Sequence, residues 1–181
     1  MRLYLTIIYN VFKWFLMKIQ YGSRYDGSLI ERFHPSVNIR LNGKSRIQIA
    51  RNLELSKDSD IQCFSNSECR IGEYTYANQR LMISCHAGVT IGNHCLFGPD
   101  VKIFDNNHTF SYVNGVSTDL KTAPIVIGDN CWIASNVVIL KGSTIGEGCV
   151  IGAGCVISGD IPPHSIVKQS SNNIEIIPIR K

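Results

Sequence analysis

The chain has 181 residues, of which 44% are hydrophobic, and a formal net charge of +4. That length suits one domain with a continuous core, and Lys and Arg are scattered rather than gathered into the basic, aromatic-interleaved stripe of a nucleic-acid binder. The seven Cys show no paired metal spacing such as CxxC and no disulfide framework, which points to no metal and to a reducing, cytoplasmic setting.

Residues 3–19, LYLTIIYNVFKWFLMKI, predict a helix with Thr6, Asn10, Lys13 and Gln20 near one stripe and apolar or aromatic side chains elsewhere. It is too short and too interrupted for a membrane span. No small-residue cleavage site follows, which argues against a secretory signal. Two readings stand. One is a cap packed on the end of a solenoid or on a neighbouring subunit. The other is an interfacial helix making peripheral contact with the inner face of the cytoplasmic membrane, with Lys13, Lys18 and Trp14 near head groups. The expected organisation is residues 1–34 as this amphipathic segment, 35–167 as a solenoid with a loop at 105–122, and 168–181 as a C-terminal tail.

The solenoid is read from a six-residue period, which is neither helical nor that of a plain strand. From Val37 to Ser67 the signal is loose, with Ile49, Leu55 and Ile61 as one phase and Ile47 and Leu53 as another. Ile71, Ala77, Ile83 and Val89 form a clearer run. Ile91, Phe97 and Ile103 continue it two residues out of phase, so a slip is expected near His86-Ala87-Gly88. The repeat then stops. Asp105 to Thr122, DNNHTFSYVNGVSTDLKT, reads as an excursion, and excursions from rigid scaffolds carry function.

It resumes at Ile127, Ile133, Ile139, Ile145, Ile151 and Ile157. Asn130, Asn136, Gly142, Gly148 and Gly154 fall halfway round each unit, where a corner needs positive φ. Cys131, Val137, Ser143, Cys149 and Cys155 take the small inward position, where cysteine acts as a small hydrophobe. The residues thus predict an all-β solenoid, a parallel β-helix, with an N-terminal helical segment and one extended loop.

The ordered set IGxxxYAN at Ile71–Asn78, TIG at Thr90–Gly92, a His-bearing loop, IGDNxWI, VIGAG and DIPP resembles the hexapeptide-repeat acyltransferases. The similarity covers residues 69–167. It is nearest the branch of galactoside and maltose O-acetyltransferases and of O-acetyltransferases of bacterial surface polysaccharide. The resemblance implies a left-handed β-helix, a homotrimer with sites between subunits, acetyl-CoA as acyl donor, and a saccharide acceptor, lipid-linked in one reading. It implies acetyl transfer to a hydroxyl in surface polysaccharide or lipopolysaccharide synthesis.

Such transfer needs a base for the hydroxyl proton and donors for the oxyanion. His108 opens the excursion and stands where the family keeps its catalytic histidine. Asp105, three residues earlier, is expected to accept from the imidazole and fix its tautomer, or else to form a turn. Asn78 matches the family's acceptor-pocket asparagine, with Tyr76 and His86 as weaker acceptor contacts. For the cofactor, Ser135 matches a position near the thioester. Ala153 and Gly152 match a backbone contact to pantetheine. Trp132 stands outward by the repeat phase and needs a cover.

Two departures from the family concern the nucleotide end. Gly159 replaces a Lys common in relatives, and the segment after Lys168 lacks the usual Gly-x-Pro-x-Lys/Arg. Lys141, Lys168, Arg180 or Lys181 are the candidates to meet the CoA phosphates. The alternatives are N-acyl transfer to an amino-sugar nucleotide or a serine-type acceptor, a metal enzyme using His86, His94 and His108, which lack a close pair, and a non-catalytic binding module. The last does not account for the interrupted repeat.

Overall fold

The computed structural model describes residues 2–29, 31–113, 115–169 and 174–178. Arg180 and Lys181 lie outside the described residues. Helix α1 runs from Arg2 to Tyr21, and a short 3-10 turn, Gly22–Arg24, leads into the first coil. From there the chain winds as a left-handed parallel β-helix of six full coils and a partial seventh, walled by three sheets.

The first sheet stacks Tyr25–Gly27, Arg46–Ile49, Glu68–Ile71, Val89–Ile91, Ile125–Ile127, Thr144–Ile145 and Asp160–Ile161. The second stacks Arg32–Phe33, Glu54–Leu55, Tyr76–Ala77, Leu96–Phe97, Trp132–Ile133, Val150–Ile151 and Ser165–Gln169, the last joined antiparallel by Ile174–Pro178. The third stacks Asn38–Leu41, Asp60–Cys63, Met82–Cys85, Lys102–Phe104, Val138–Leu140 and Val156–Ile157. The first coil therefore opens at Tyr25, ahead of the expected boundary at 35. The strand Ile174–Pro178 falls within the stretch read as a tail.

Each strand alternates inward and outward side chains. Ile47 with Ile49 and Leu53 with Leu55 are both buried pairs, so the two competing phases of the upstream repeat are both inward: Ile47 and Ile49 share one strand, and Leu53 precedes the strand that holds Leu55. The coils are unequal. Tyr25 pairs with Ile47 and Ile47 with Cys69, 22 residues apart; Cys69 pairs with Val89, 20 apart; Val126 pairs with Thr144, 18 apart; Thr144 pairs with Asp160, 16 apart. Only the 18-residue coil is three whole hexapeptides. The two extra residues of the 20-residue coil fall at the turn after Cys85, the place of the predicted slip.

The corners behave as their residues ask. Asn130, Asn136, Gly142, Gly148 and Gly154 have φ of 58°, 60°, 75°, 65° and 75°. Upstream the same corners hold bulky residues in this left-handed region, Tyr74, Arg80, His94 and Asp100. Each costs roughly 1 kcal/mol in conformational energy. Hydrogen bonds between coils hold them, as where the His94 amide donates to the Glu73 carbonyl at 2.8 Å. The cysteines fill inward positions and are fully buried. The neighbouring Cys63 thiol and burial hold the Cys85 thiol above its ordinary range, so it is not a nucleophile at neutral pH.

Helix α1 covers the open end of the first coil. Alternate residues of an edge coil point their carbonyls away from the stack, where no strand accepts them. Lys13 Nζ donates to the Val37 carbonyl at 2.5 Å, Trp14 Nε1 to Gly27 at 2.8 Å, Lys18 Nζ to Tyr25 at 2.7 Å, and Arg24 Nη1 to Gly43 at 2.8 Å. Asn10 Oδ1 accepts the Phe33 amide at 3.0 Å. This corrects one expectation: Lys13, Lys18 and Trp14 face the solenoid rather than lipid head groups. The outward side of the helix is instead Ile7, Ile8, Val11, Phe12, Phe15, Leu16 and Ile19.

Candidate active site

The excursion is a β-hairpin, Asn106–Ser111 against Gly115–Thr122, with a bulge between His108 and Phe110. His108 pairs with Leu120 across it and is exposed. Its Nδ1 lies 3.1 Å from the Ser117 carbonyl. A carbonyl only accepts, so Nδ1 carries a proton, and in the neutral ring Nε2 is the nitrogen with the lone pair.

Asp105 does not orient this imidazole. It is fully buried at the neck of the hairpin. Its carboxylate accepts the backbone amides of His86 at 2.8 and 2.9 Å, Ala87 at 2.7 Å and Gly88 at 2.8 Å. The turn it gathers is the slip between the third and fourth coils, and Ala123 N donates back to the Asp105 carbonyl at 3.0 Å to close the neck. The side chain predicted to orient the base instead shapes the loop that carries it. His86 stacks on Phe64 with centroids 4.3 Å apart, beside the same neck.

A second group of site residues lines the opposite edge of the third sheet. Ser56, Asn78, Gly98, Ala134 and Gly152 follow one another up the corner between the second and third sheets, each amide bonded to the next coil. Three coil steps separate Asn78 from Gly152, about 14 Å at the usual strand spacing. A Cβ on Gly98 would stand 2.6 Å from the Ser135 amide nitrogen, so only glycine leaves that amide uncovered. Ser135 and Ala153 sit one above the other, Gly154 N donating to the Ser135 carbonyl at 3.0 Å. Neither the Ser135 nor the Ala153 amide donates to any described residue. Lys168 closes the track, its Cα 3.5 Å from where a Cβ on Gly152 would stand. Gly98 was legible in the sequence only as a repeat glycine; its special role is the close approach of the next coil.

Beside the track, Tyr76, Leu96, Trp132 and Val150 are in register on the outer side of the second sheet. Trp132 is 53% exposed, as its repeat phase predicts. At the Asn78 end a cavity of about 470 Å³ opens, lined by residues that include Thr6, Arg32, Glu54, Lys57, Asn78 and Gln79. The structure thus brings Asn78, Ser135, Ala153, Gly152 and Lys168 onto one edge. His108, His86 and Asp105 stand on the other, and none of these three is hydrogen-bonded or ring-stacked to Asn78, Ser135, Ala153 or Gly152.

A family model for the bacterial transferase hexapeptide, six repeats, matches residues 124–159. The chain carries the bacterial transferase hexapeptide repeat. This hexapeptide-repeat chain is 40% identical over 100 residues to the galactoside O-acetyltransferase of Escherichia coli (strain K12), covering 55% of the chain and 49% of that protein. It is 29% identical over 155 residues to WbbJ of the same organism, whose name assigns it to O-acetyl transfer in lipopolysaccharide biosynthesis, covering 80% and 69%. Among solved structures, a hexapeptide-repeat containing acetyltransferase from Vibrio cholerae O1 biovar eltor, complexed with acetyl coenzyme A, superposes with a TM-score of 0.63 at 26% identity, covering 93% and 76%. The chain spans about half the length of most of the curated relatives it matches. The likeness to the hexapeptide-repeat acyltransferases rests on sequence and fold together.

Proposed function

We propose that the chain transfers an acetyl group from acetyl-CoA to a hydroxyl of a saccharide, in the cytoplasm, as a step in building a bacterial surface polysaccharide. The observation that carries this reading is the His108 imidazole, fixed at Nδ1 by the Ser117 carbonyl with Nε2 left as a proton acceptor. Nε2 takes the hydroxyl proton as that oxygen attacks the thioester carbonyl carbon. The oxyanion that forms needs a preorganised donor, and the Ser135 amide is one. The imidazolium then returns its proton to the departing thiolate.

The track suits the donor: it is long, narrow, floored by small residues, and offers the Ser135 and Ala153 amides to the carbonyls of a pantetheine arm. Trp132 and Lys168 flank it. Asn78, with Tyr76 nearby, offers an amide to sugar hydroxyls at the mouth of the cavity. Because His108 and Asn78 occupy opposite edges of one chain, the reading requires a second copy to set its His108 beside this Asn78, which fits a homotrimer with sites between subunits.

The test is thiol release from acetyl-CoA with a panel of sugars, for the wild type and His108→Ala. Acceptor-dependent release that falls by roughly 10²–10⁴-fold in the variant supports the reading. Undiminished release in a folded His108→Ala chain removes His108 from the chemistry.

A further inference from the structure

Helix α1 exposes more of its apolar side chains than an ordinary surface helix does. Its polar side chains, Lys13, Trp14 and Lys18 among them, are bonded to the edge carbonyls of the first coil. Met17 packs into the core, but Ile7, Ile8, Val11, Phe12, Phe15, Leu16 and Ile19 face out, and a cavity of about 460 Å³ is lined by several of these together with Trp14 and Leu29. Contiguous exposed apolar surface of this kind marks an interaction site. No helix among the described residues is long and apolar enough to cross a membrane.

The neighbour of this face decides what covers it. Thr6, next to Ile7 in the chain, lines the cleft that ends at Asn78. The apolar face and the acceptor cleft are therefore flanked by consecutive residues of one helical turn. A lipid surface on that face brings its head groups close to the cleft. The cleft lining carries Arg32, paired with Glu54 at 3.3 Å, and Lys57. Two cations against one carboxylate favour an anionic surface.

We infer that the outer face of α1 docks on a lipid bilayer and that the cleft takes the sugar head of a lipid-linked acceptor. The second half of this rests on the acetyl-transfer reading; the docking does not. The helix lies in the interface with its apolar side down, and the solenoid stands above it with Asn78 within reach of the head-group layer.

The experiment uses the full chain and the triple variant Ile8→Asp, Phe12→Asp, Phe15→Asp. Flotation with phosphatidylcholine vesicles, with and without phosphatidylglycerol, is expected to carry the wild type upward and to leave the variant behind, with at least a tenfold loss of bound fraction. Thiol release with a methyl glycoside is expected to be the same for both. With the matching dodecyl glycoside in vesicles, kcat/KM is expected to exceed the methyl value at least tenfold in the wild type and to match it in the variant. A wild type that stays in solution with both kinds of vesicle overturns the docking. So does a variant whose assembly mass is lower by light scattering, because the face is then a contact between copies. Equal kcat/KM on both glycosides overturns the lipid-linked acceptor. Loss of thiol release on every glycoside, with flotation intact, strikes the acetyl-transfer reading alone.

Discussion

Both carboxylate oxygens of Asp105 accept the backbone amide of His86, at 2.8 and 2.9 Å. One oxygen also takes the amides of Ala87 and Gly88. The residue that begins the hairpin is thus bound to the coil below it, and the position of His108 is inherited from that anchor. Removing the carboxylate leaves buried amides unpaired, at about 1–3 kcal/mol each where they cannot find another partner. Asp105→Ala is expected to lower the unfolding free energy by roughly 3 kcal/mol in a denaturant titration. Asp105→Asn keeps one acceptor and is expected to lose less. Because Asp105 does not touch the imidazole, the pH–rate profile of folded Asp105→Asn should keep the wild-type shape; a displaced limb would restore it as the partner of His108.

Gly98 predicts a separation of binding from stability. A methyl group there meets the Ser135 amide nitrogen at 2.6 Å, closer than contact allows. Overpacking of this kind costs about 1–3 kcal/mol. It also covers a donor on the proposed donor track. Gly98→Ala is expected to raise KM for acetyl-CoA at least tenfold while KM for the acceptor moves little. Equal changes in both would place the track elsewhere.

Glu31 makes stability depend on pH. It is buried at the helix end, its Oε2 accepting from the Tyr25 hydroxyl at 2.9 Å and its Oε1 without a partner among the described residues. Burial pushes its carboxyl up to about 7 from 4.5, against the pull of the Tyr25 hydrogen bond and of Lys13 and Lys18. The folded chain holds this proton more tightly than the unfolded one, so stability falls as pH rises from 4.5 to 7, by no more than about 3 kcal/mol. Lys13 is brought down to about 8 by burial, opposed by Glu31. There the unfolded chain holds the proton more tightly, and stability recovers as pH climbs beyond 8. A minimum between 7 and 8 is expected in thermal unfolding. Glu31→Gln is expected to flatten the acid side and to be more stable than the wild type at pH 7.5; an unchanged acid side would assign the slope to another group.

Lys18 tests the edge cover. Lys18→Met keeps the apolar stem and removes the donor to the Tyr25 carbonyl, 2.7 Å away. A loss of roughly 1–2 kcal/mol in unfolding free energy is expected. No loss would mean that water serves that edge equally well.

The repeat was legible where the coil holds whole hexapeptides, from Ile125 to Ile157, and blurred where coils are 22 residues long. There Ile47 and Ile49 compete as anchors only because both are inward. Cornering by Asn130 and Gly148 could be read, since those residues favour positive φ. Tyr74 and His94 could not, because they hold that conformation through bonds between coils. His108 stood out by its place in the broken repeat. The bonding of Asp105 did not, because its partners lie 17 to 19 residues away and join it only once the coil closes.

The inequality of the coils has a further result. Tyr25 and Ile47 are 22 residues apart at one end, Thr144 and Asp160 only 16 at the other. The two mouths of the solenoid therefore differ in girth. A stack of molecules end to end would have to seat a wide turn on a narrow one and could not keep all three walls in register. Runaway growth along the axis, the hazard of any open sheet edge, is thus obstructed by a mismatch of circumference as well as by the helix over one end and the strand paired to the second sheet at the other.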